Sequence, residues 1–189
     1  MKNNFFNAVE FSHLLLKENI AAGDTVVDAT AGNGHDSKFL ASLVGNEGEV
    51  YSFDIQQEAV NKSRELLEEN DLAAQVKLIL DSHANLDQYL TKKIKAAVFN
   101  LGYLPGGDKN IITRKESTIT ALDKLTSLLK DNGIIILVIY SGHPGGEEEK
   151  KAILDFASKL NHKKFNVLNY EFLNQPGSPP QVLAVKKRD

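Results

Sequence analysis

The chain contains no cysteine, so disulfides, thiolate metal sites and cysteine nucleophiles are all excluded. No apolar run approaches the ~18 residues that a bilayer-spanning helix requires, and the N-terminus lacks the apolar core of a signal peptide. A cytoplasmic protein with no membrane partner is the expectation. Linkers, internal repeats and low-complexity segments are also missing. With 42% hydrophobic and 25% charged residues, 189 residues suit one domain, 1–189, with a full core. The formal charge of -3 argues against a protein that coats nucleic acid electrostatically. Lysines do gather at Lys92-Lys93-Ile94-Lys95, Lys163-Lys164 and Lys186-Lys187-Arg188, runs read here as solvated faces. No set of His, Asp and Glu has metal-ligand spacing, so no metal is expected.

Helices and strands alternate in the pattern of apolar residues. A short N-terminal helix is predicted over about 5–20, with Phe5, Val9, Leu15 and Leu16 on one face; His13 on it is read as a packing residue. Strands are predicted over 25–29, 49–54, 76–80, 96–99 and 134–140. Between them lie helices to about 43 and over 57–70 and 113–130, the last closed by Asp131-Asn132-Gly133 as a left-handed cap. A helix over 146–160 precedes two final strands, 165–172 and 182–185. The alternation implies an α/β, doubly wound, Rossmann-like sheet. The final pair has no helix between its members, so its strands pair antiparallel.

The turn after the first strand reads Asp28-Ala29-Thr30-Ala31-Gly32-Asn33-Gly34. Glycines here let backbone N–H groups approach a ligand, and the next helix presents its positive end. Twenty residues beyond Gly34 comes Asp54, closing the second strand, where a carboxylate accepts from two vicinal ribose hydroxyls. A dinucleotide fingerprint needs a further glycine at position 37, which is Ser. Asp28 would repel a pyrophosphate and favour a cationic ligand, such as the ammonium and sulfonium of S-adenosyl-L-methionine. Asp81-Ser82-His83 closes the third strand, where Asp81 would accept from an adenine amino group.

After the apolar run Ala96-Ala97-Val98-Phe99 comes Asn100-Leu101-Gly102-Tyr103-Leu104-Pro105. An Asn oxygen and a neighbouring carbonyl accept both N–H groups of an amine and so aim its lone pair. A following aromatic ring stacks on the base that carries the amine. The same residues would also make an ordinary strand-to-turn connection. Tyr140-Ser141-Gly142-His143 lies beyond the fifth strand on the same edge, and His143 is either a proton acceptor, a phosphate contact or a loop-shaping residue.

Taken together, 28–36, 53–56, 81–83, 100–109 and 140–146 resemble the family of tRNA 5-aminomethyl-2-thiouridine methyltransferases (MnmM- or YtqB-like), first grouped as rRNA methylases. The resemblance runs through nearly the whole chain, and Asn100-Leu101-Gly102-Tyr103-Leu104-Pro105-Gly106-Gly107-Asp108-Lys109 is its specific signature. It implies a class I methyltransferase sheet of seven strands with the last antiparallel, and S-adenosyl-L-methionine as cofactor. The acceptor it implies is the aminomethyl nitrogen of a wobble uridine in tRNA, presented by the anticodon arm. Cofactor contacts are expected from Asp28, Thr30, Gly32, Asn33, Gly34, Asp36, Asp54, Gln56, Asp81, Ser82, His83 and Asn100. Catalysis is expected from Asn100, Leu101 and Tyr103, and substrate contacts from Tyr103, Pro105, Asp108, Lys109, Tyr140 and His143. A homodimer is a further expectation. The competing readings are a methyltransferase acting on rRNA or a small-molecule amine, a non-catalytic nucleotide-binding module, and a nicotinamide-dependent oxidoreductase, which Ser37 and the final strand pair disfavour.

Overall fold

A computed structural model describes residues 5–102, 104, 106 and 112–189. Seven strands form one sheet in the order β3-β2-β1-β4-β5-β7-β6. They are β1 (Thr25–Asp28), β2 (Glu49–Asp54), β3 (Val76–Leu80), β4 (Ile94–Leu101), β5 (Leu129–Ile139), β6 (Phe165–Tyr170) and β7 (Gln181–Lys187). The first five pair parallel. β7 runs antiparallel to both β5 and β6, as the missing helix between the last two strands requires. Strand order reverses at β1, which has β2 on one side and β4 on the other. A doubly wound sheet opens its ligand crevice there, beyond the carboxyl ends of those strands.

Alternating side chains send two apolar sets to opposite faces. Val26, Val50, Ala96, Val98, Ile134, Ile136 and Val138 meet Leu16 of α1 (Ala8–Asn19) and Leu40, Ala41 and Val44 of α2 (His35–Val44). Val27, Phe53, Ala97, Phe99, Ile135 and Leu137 meet Leu122 and Leu125 of α4 (Lys115–Leu128) and Ile153 of α5 (Gly146–Ser158). The remaining helix, α3 (Gln57–Glu68), packs beside α2 and β3. Among the described residues no helix is long and apolar enough to cross a membrane.

Several boundaries differ from the sequence reading for physical reasons. α1 starts at Ala8 because Asn7 caps it reciprocally with Glu10, which leaves Phe5 and Phe6 outside the helix. α4 ends at Leu128, and β5 begins at once. Asn132 is left-handed (φ 56°), but it sits where the β4–β5 pairing slips between Ile94 and Ala96. The Asp131-Asn132-Gly133 turn therefore belongs to a strand irregularity and does not cap the helix. β4 also runs through Leu101, with Asn100 opposite Val138, so Asn100 is held in a paired strand.

Candidate active site

A cavity of about 600 Å³ opens at the carboxyl ends of β1, β2, β3 and β4, within the size range of small-ligand sites. Its floor is the glycine turn. The Ala31 N–H donates to the Phe53 carbonyl (2.8 Å) and the Gly34 N–H to the Ala31 carbonyl (2.8 Å). Gly34 has φ 85°, and a Cβ there would approach Ser63 Cα to 2.8 Å. Glycine is thus required twice over, for the turn and for the packing of α3. Gly34 shapes the wall from behind, whereas Thr30, Gly32, Asn33 and Asp36 line the cavity.

Asp54 is tied to this turn by two backbone donors. The Gly32 N–H reaches Oδ2 and the Gln56 N–H reaches Oδ1, both at 2.9 Å. One lone pair on each oxygen remains for a diol, and Gln56 joins the wall beside it.

Asp28 stands elsewhere than the sequence reading expected. It is fully buried and lies behind the cavity lining. The Ser37 hydroxyl donates to its Oδ2 (2.6 Å) and the Thr30 N–H to its Oδ1 (3.1 Å). Burial, reinforced by the negative charge of Asp36, raises this carboxyl to about 7. Its effect on a cationic ligand is therefore indirect, through Thr30 and the turn. Ser37, the residue that breaks the dinucleotide fingerprint, is its hydrogen-bond donor.

Asp81, Ser82 and His83 form the far end. Asp81 accepts from Asn85 Nδ2 (2.9 Å), the Tyr89 hydroxyl (2.8 Å) and the Ser82 N–H (2.7 Å). Those hydrogen bonds, Asn85 and Tyr89 first, hold its carboxyl below the usual range. His83 is 8% exposed, and its Nδ1 lies 2.9 Å from the Ala29 carbonyl. A carbonyl only accepts, so Nδ1 carries the hydrogen and Nε2 presents a lone pair. That lone pair has no partner in the described protein, and burial lowers the imidazole pKa, which keeps the acceptor neutral.

The other end is built on β4. The Asn100 N–H donates to Thr30 Oγ1 (2.7 Å), and its Nδ2 lies 3.4 Å from Asp36 Oδ2. With Nδ2 turned to Asp36, Oδ1 remains to accept from a ligand. Leu101 and Gly102 follow on the cavity wall. Gly102 has φ 142°, a conformation that favours glycine. Its N–H donates to Thr113 Oγ1 (3.0 Å) and its carbonyl accepts from the Thr113 N–H (2.9 Å). Thr113 in turn donates to Glu149 Oε2 (2.7 Å), and Thr118 donates to Oε1 (2.6 Å). Glu149, buried in the first turn of α5, thus clamps the base of the loop that leaves β4.

Tyr140 lines the cavity, and burial, then the Asp36 charge, pushes its phenol up. His143 stands outside the lining, with Nδ1 3.1 Å from the Pro144 carbonyl. A Cβ placed on Gly102 would lie 3.8 Å from His143 Nε2, so the ring borders the loop. Tyr103, Pro105, Asp108 and Lys109 lie outside the described residues.

The sequence reading missed Ile112, Thr113, Arg114 and Ser117, which also line the cavity, and the Glu149 clamp. The Glu149 signal was faint: one acid in a run of three at a helix start, where acids are common. His13 stacks on Phe39 (4.0 Å, 9°) as a packing residue would, but its Nε2 also lies 2.7 Å from Asp36 Oδ1.

These features fit an adenosyl ligand bearing positive charge. Among the described residues the lining offers three carboxylates, Asp36, Asp54 and Asp81, against the single guanidinium of Arg114. The Asp54 oxygens each keep a lone pair for donors of such a ligand.

Comparison with known proteins shows the family. The family described as "Putative rRNA methylase" matches residues 50–186. A chloroplastic tRNA (mnm(5)s(2)U34)-methyltransferase of Arabidopsis thaliana is 36% identical over 192 residues, 96% of this chain and 70% of that protein. A solved structure named a putative rRNA methylase, from Clostridium thermocellum, superposes with a TM-score of 0.96 at 46% identity, covering 97% of this chain and 99% of that one. A putative methyltransferase of Streptococcus mutans, solved with S-adenosylhomocysteine, gives 0.90 at 37% identity, covering 97% and 99%.

Proposed function

Because this chain belongs to the rRNA methylase family and is an S-adenosyl-L-methionine-dependent methyltransferase, we propose that it methylates the aminomethyl nitrogen of wobble 5-aminomethyl-2-thiouridine in tRNA. The Arabidopsis relative carries that activity in its name. The observation that carries the reading here is Asn100, whose side chain enters the cavity with its amide nitrogen toward Asp36. The acceptor it suits is an N–H donor.

S-adenosyl-L-methionine, when bound, supplies an electrophilic methyl carbon on a sulfonium. Asp54 would hold its ribose diol, Asp81 and His83 the adenine end, and Thr30, Gly32 and Asn33 the turn beside its methionine portion. Asn100 Oδ1 and the Leu101 carbonyl would accept the amine hydrogens and point the nitrogen lone pair into the cavity. Alignment of this kind is worth several kcal/mol of barrier, up to roughly 7–11 in well-oriented systems. Leu104 and Ile112 line the cavity and would shield a bound amine from water, which favours a neutral amine over an ammonium.

Tyr103 would stack on the uracil, with Pro105, Asp108, Lys109, Tyr140 and His143 around the anticodon arm. A homodimer is part of the same reading, supported by β6, an edge strand with Val167 and Leu168 exposed. Light scattering showing one chain per particle would remove the dimer.

The test is incubation with radiolabelled S-adenosyl-L-methionine and tRNA from cells lacking the gene, followed by nucleoside mass spectrometry. Label in methylaminomethyl-thiouridine is the expected result; label confined to rRNA or to small amines would reassign the acceptor. Asn100→Ala is expected to lower turnover at least tenfold while changing the affinity for S-adenosylhomocysteine much less. Undiminished turnover would remove Asn100 from its role.

A further inference from the structure

One carboxylate joins the first helix to the acceptor motif. Asp36 sits in the first turn of α2, with Oδ1 2.7 Å from His13 Nε2 on α1 and Oδ2 3.4 Å from Asn100 Nδ2 on β4. Its side chain is 12% exposed and that of His13 30% exposed, and Asp36 lines the cavity. The pair thus bridges the acceptor side of the site and the protein surface. His13 is itself fixed by stacking on Phe39, so the carboxylate has a defined orientation. The Asp36 charge reaches both Asp28 and Tyr140.

An alkylamine poses a problem that this arrangement answers. At neutral pH it arrives as an ammonium, with no lone pair to donate; a lysine-like amine is free in roughly one molecule in a thousand near pH 7.4. We propose that Asp36, held by His13, is the ammonium-receiving group of the acceptor site and takes the proton that frees the nitrogen lone pair. The inference rests on the amine acceptor proposed above. An N–H bond of the ammonium breaks and its electron pair stays on nitrogen, while the proton forms an O–H bond on Asp36 Oδ2. Asn100 Oδ1 holds a remaining N–H. After methyl transfer the product leaves as a secondary ammonium, and Asp36 releases its proton to solvent past His13. The balance is one proton released per methyl transferred.

Among the described residues the groups that face Asp36 are His13 from α1, Asp28 from β1, Asn100 from β4 and Tyr140 beyond β5, with His35 next to it in sequence on α2. Only Asp36, among the described residues, combines a formal negative charge, a place on the wall and contact with Asn100. Asp28 has the charge but is sealed behind Ser37.

The experiment compares two anticodon stem-loops that differ at one nucleotide, 5-aminomethyl-2-thiouridine or 2-thiouridine, by equilibrium binding without cofactor. The protein is expected to prefer the amine-bearing stem-loop, and Asp36→Asn to lose that preference by about tenfold with binding of the plain stem-loop unchanged. In turnover, Asp36→Asn is expected to be slow at pH 7 and to recover close to tenfold per pH unit up to pH 9, tracking free amine. His13→Gln, which retains a hydrogen-bond donor toward Asp36, should keep most of the preference, and His13→Ala should weaken it.

If Asp36→Asn retains the preference and wild-type turnover, the inference fails while the function stands. Weakened S-adenosylhomocysteine binding with turnover intact at saturating cofactor would place Asp36 in the cofactor site and also overturn it. If the wild-type protein shows no preference and transfers no methyl group to the amine-bearing stem-loop, the proposed function itself fails.

Discussion

At the scale of single residues, the least expected feature is a carboxyl buried without a basic partner. Asp28 has hydrogen-bond donors in Ser37 and Thr30, yet burial outweighs them and lifts it to about 7. The folded value lies above the unfolded one, so ionisation opposes folding. The stability that protonated Asp28 contributes is fully present below about pH 4 and is lost as pH rises through about 7. Asp28→Asn is therefore expected to flatten the pH dependence of stability over that window, by an amount on the order of a few kcal/mol. Denaturant melts of both proteins at pH 5 and pH 8 check this: parallel shifts in the two would contradict it. His83 obeys the opposite sign. Its lowered pKa favours the neutral ring, so its contribution is lost on acidification.

At the scale of elements, the site depends on how β4 is held where the chain leaves the sheet. Gly102 and Thr113 exchange two backbone-anchored hydrogen bonds, and Glu149 ties that bridge to α5 and α4 through Thr113 and Thr118. Glu149→Ala strips one buried and one part-buried hydroxyl of their acceptor, at a cost of about 2–4 kcal/mol. It is expected to lower turnover more than S-adenosylhomocysteine affinity, because the clamp supports the acceptor loop and the Asp54 side stands apart from it. Thermal melts and calorimetry on the variant separate the two effects; equal losses in both would refute a loop-specific role. The helix-versus-strand difference at Leu129 is an element-scale lesson as well. Asp131-Asn132-Gly133 reads as a helix cap locally, but pairing with β4 captures the chain three residues earlier and turns the same left-handed Asn132 into part of a slipped register.

At the scale of the whole molecule, the three lysine clusters of the sequence share one end of the sheet. Lys92 and Lys95 flank the start of β4, Lys163 and Lys164 precede β6, and Lys186 and Lys187 close β7. The strand directions put all of these at the end of the sheet opposite Asn100 and the cavity. Several are already engaged: Lys92 with Glu49 (2.6 Å) and Lys187 with Asp131 (3.0 Å). Under the proposed function, RNA reaching the cavity would meet Arg114, which lines it at the start of α4. Arg114→Gln is expected to raise KM for tRNA and reduce its salt slope by about one, whereas Lys92→Gln with Lys95→Gln leaves both unchanged. The reverse pattern in filter binding across salt concentrations would move the RNA path to the other end.

The sequence by itself determined the strand–helix alternation, the glycine turn and the acid closing β2, which stand where the reading placed them, whereas Asn100, read as following the strand, is held inside it. These are legible because turns, caps and apolar periods are decided by residues a few positions apart. Tertiary structure alone decided that Asp28 backs the wall, that Glu149 clamps the loop, that His13 meets Asp36 and that the lysine clusters face away from the cavity. Those contacts join residues 23 positions apart in the His13–Asp36 pair and 36 apart in the Thr113–Glu149 pair. Whether a polar side chain stays open to a ligand depends on which distant groups have already taken its lone pairs, and that is settled only when the helices pack on the sheet.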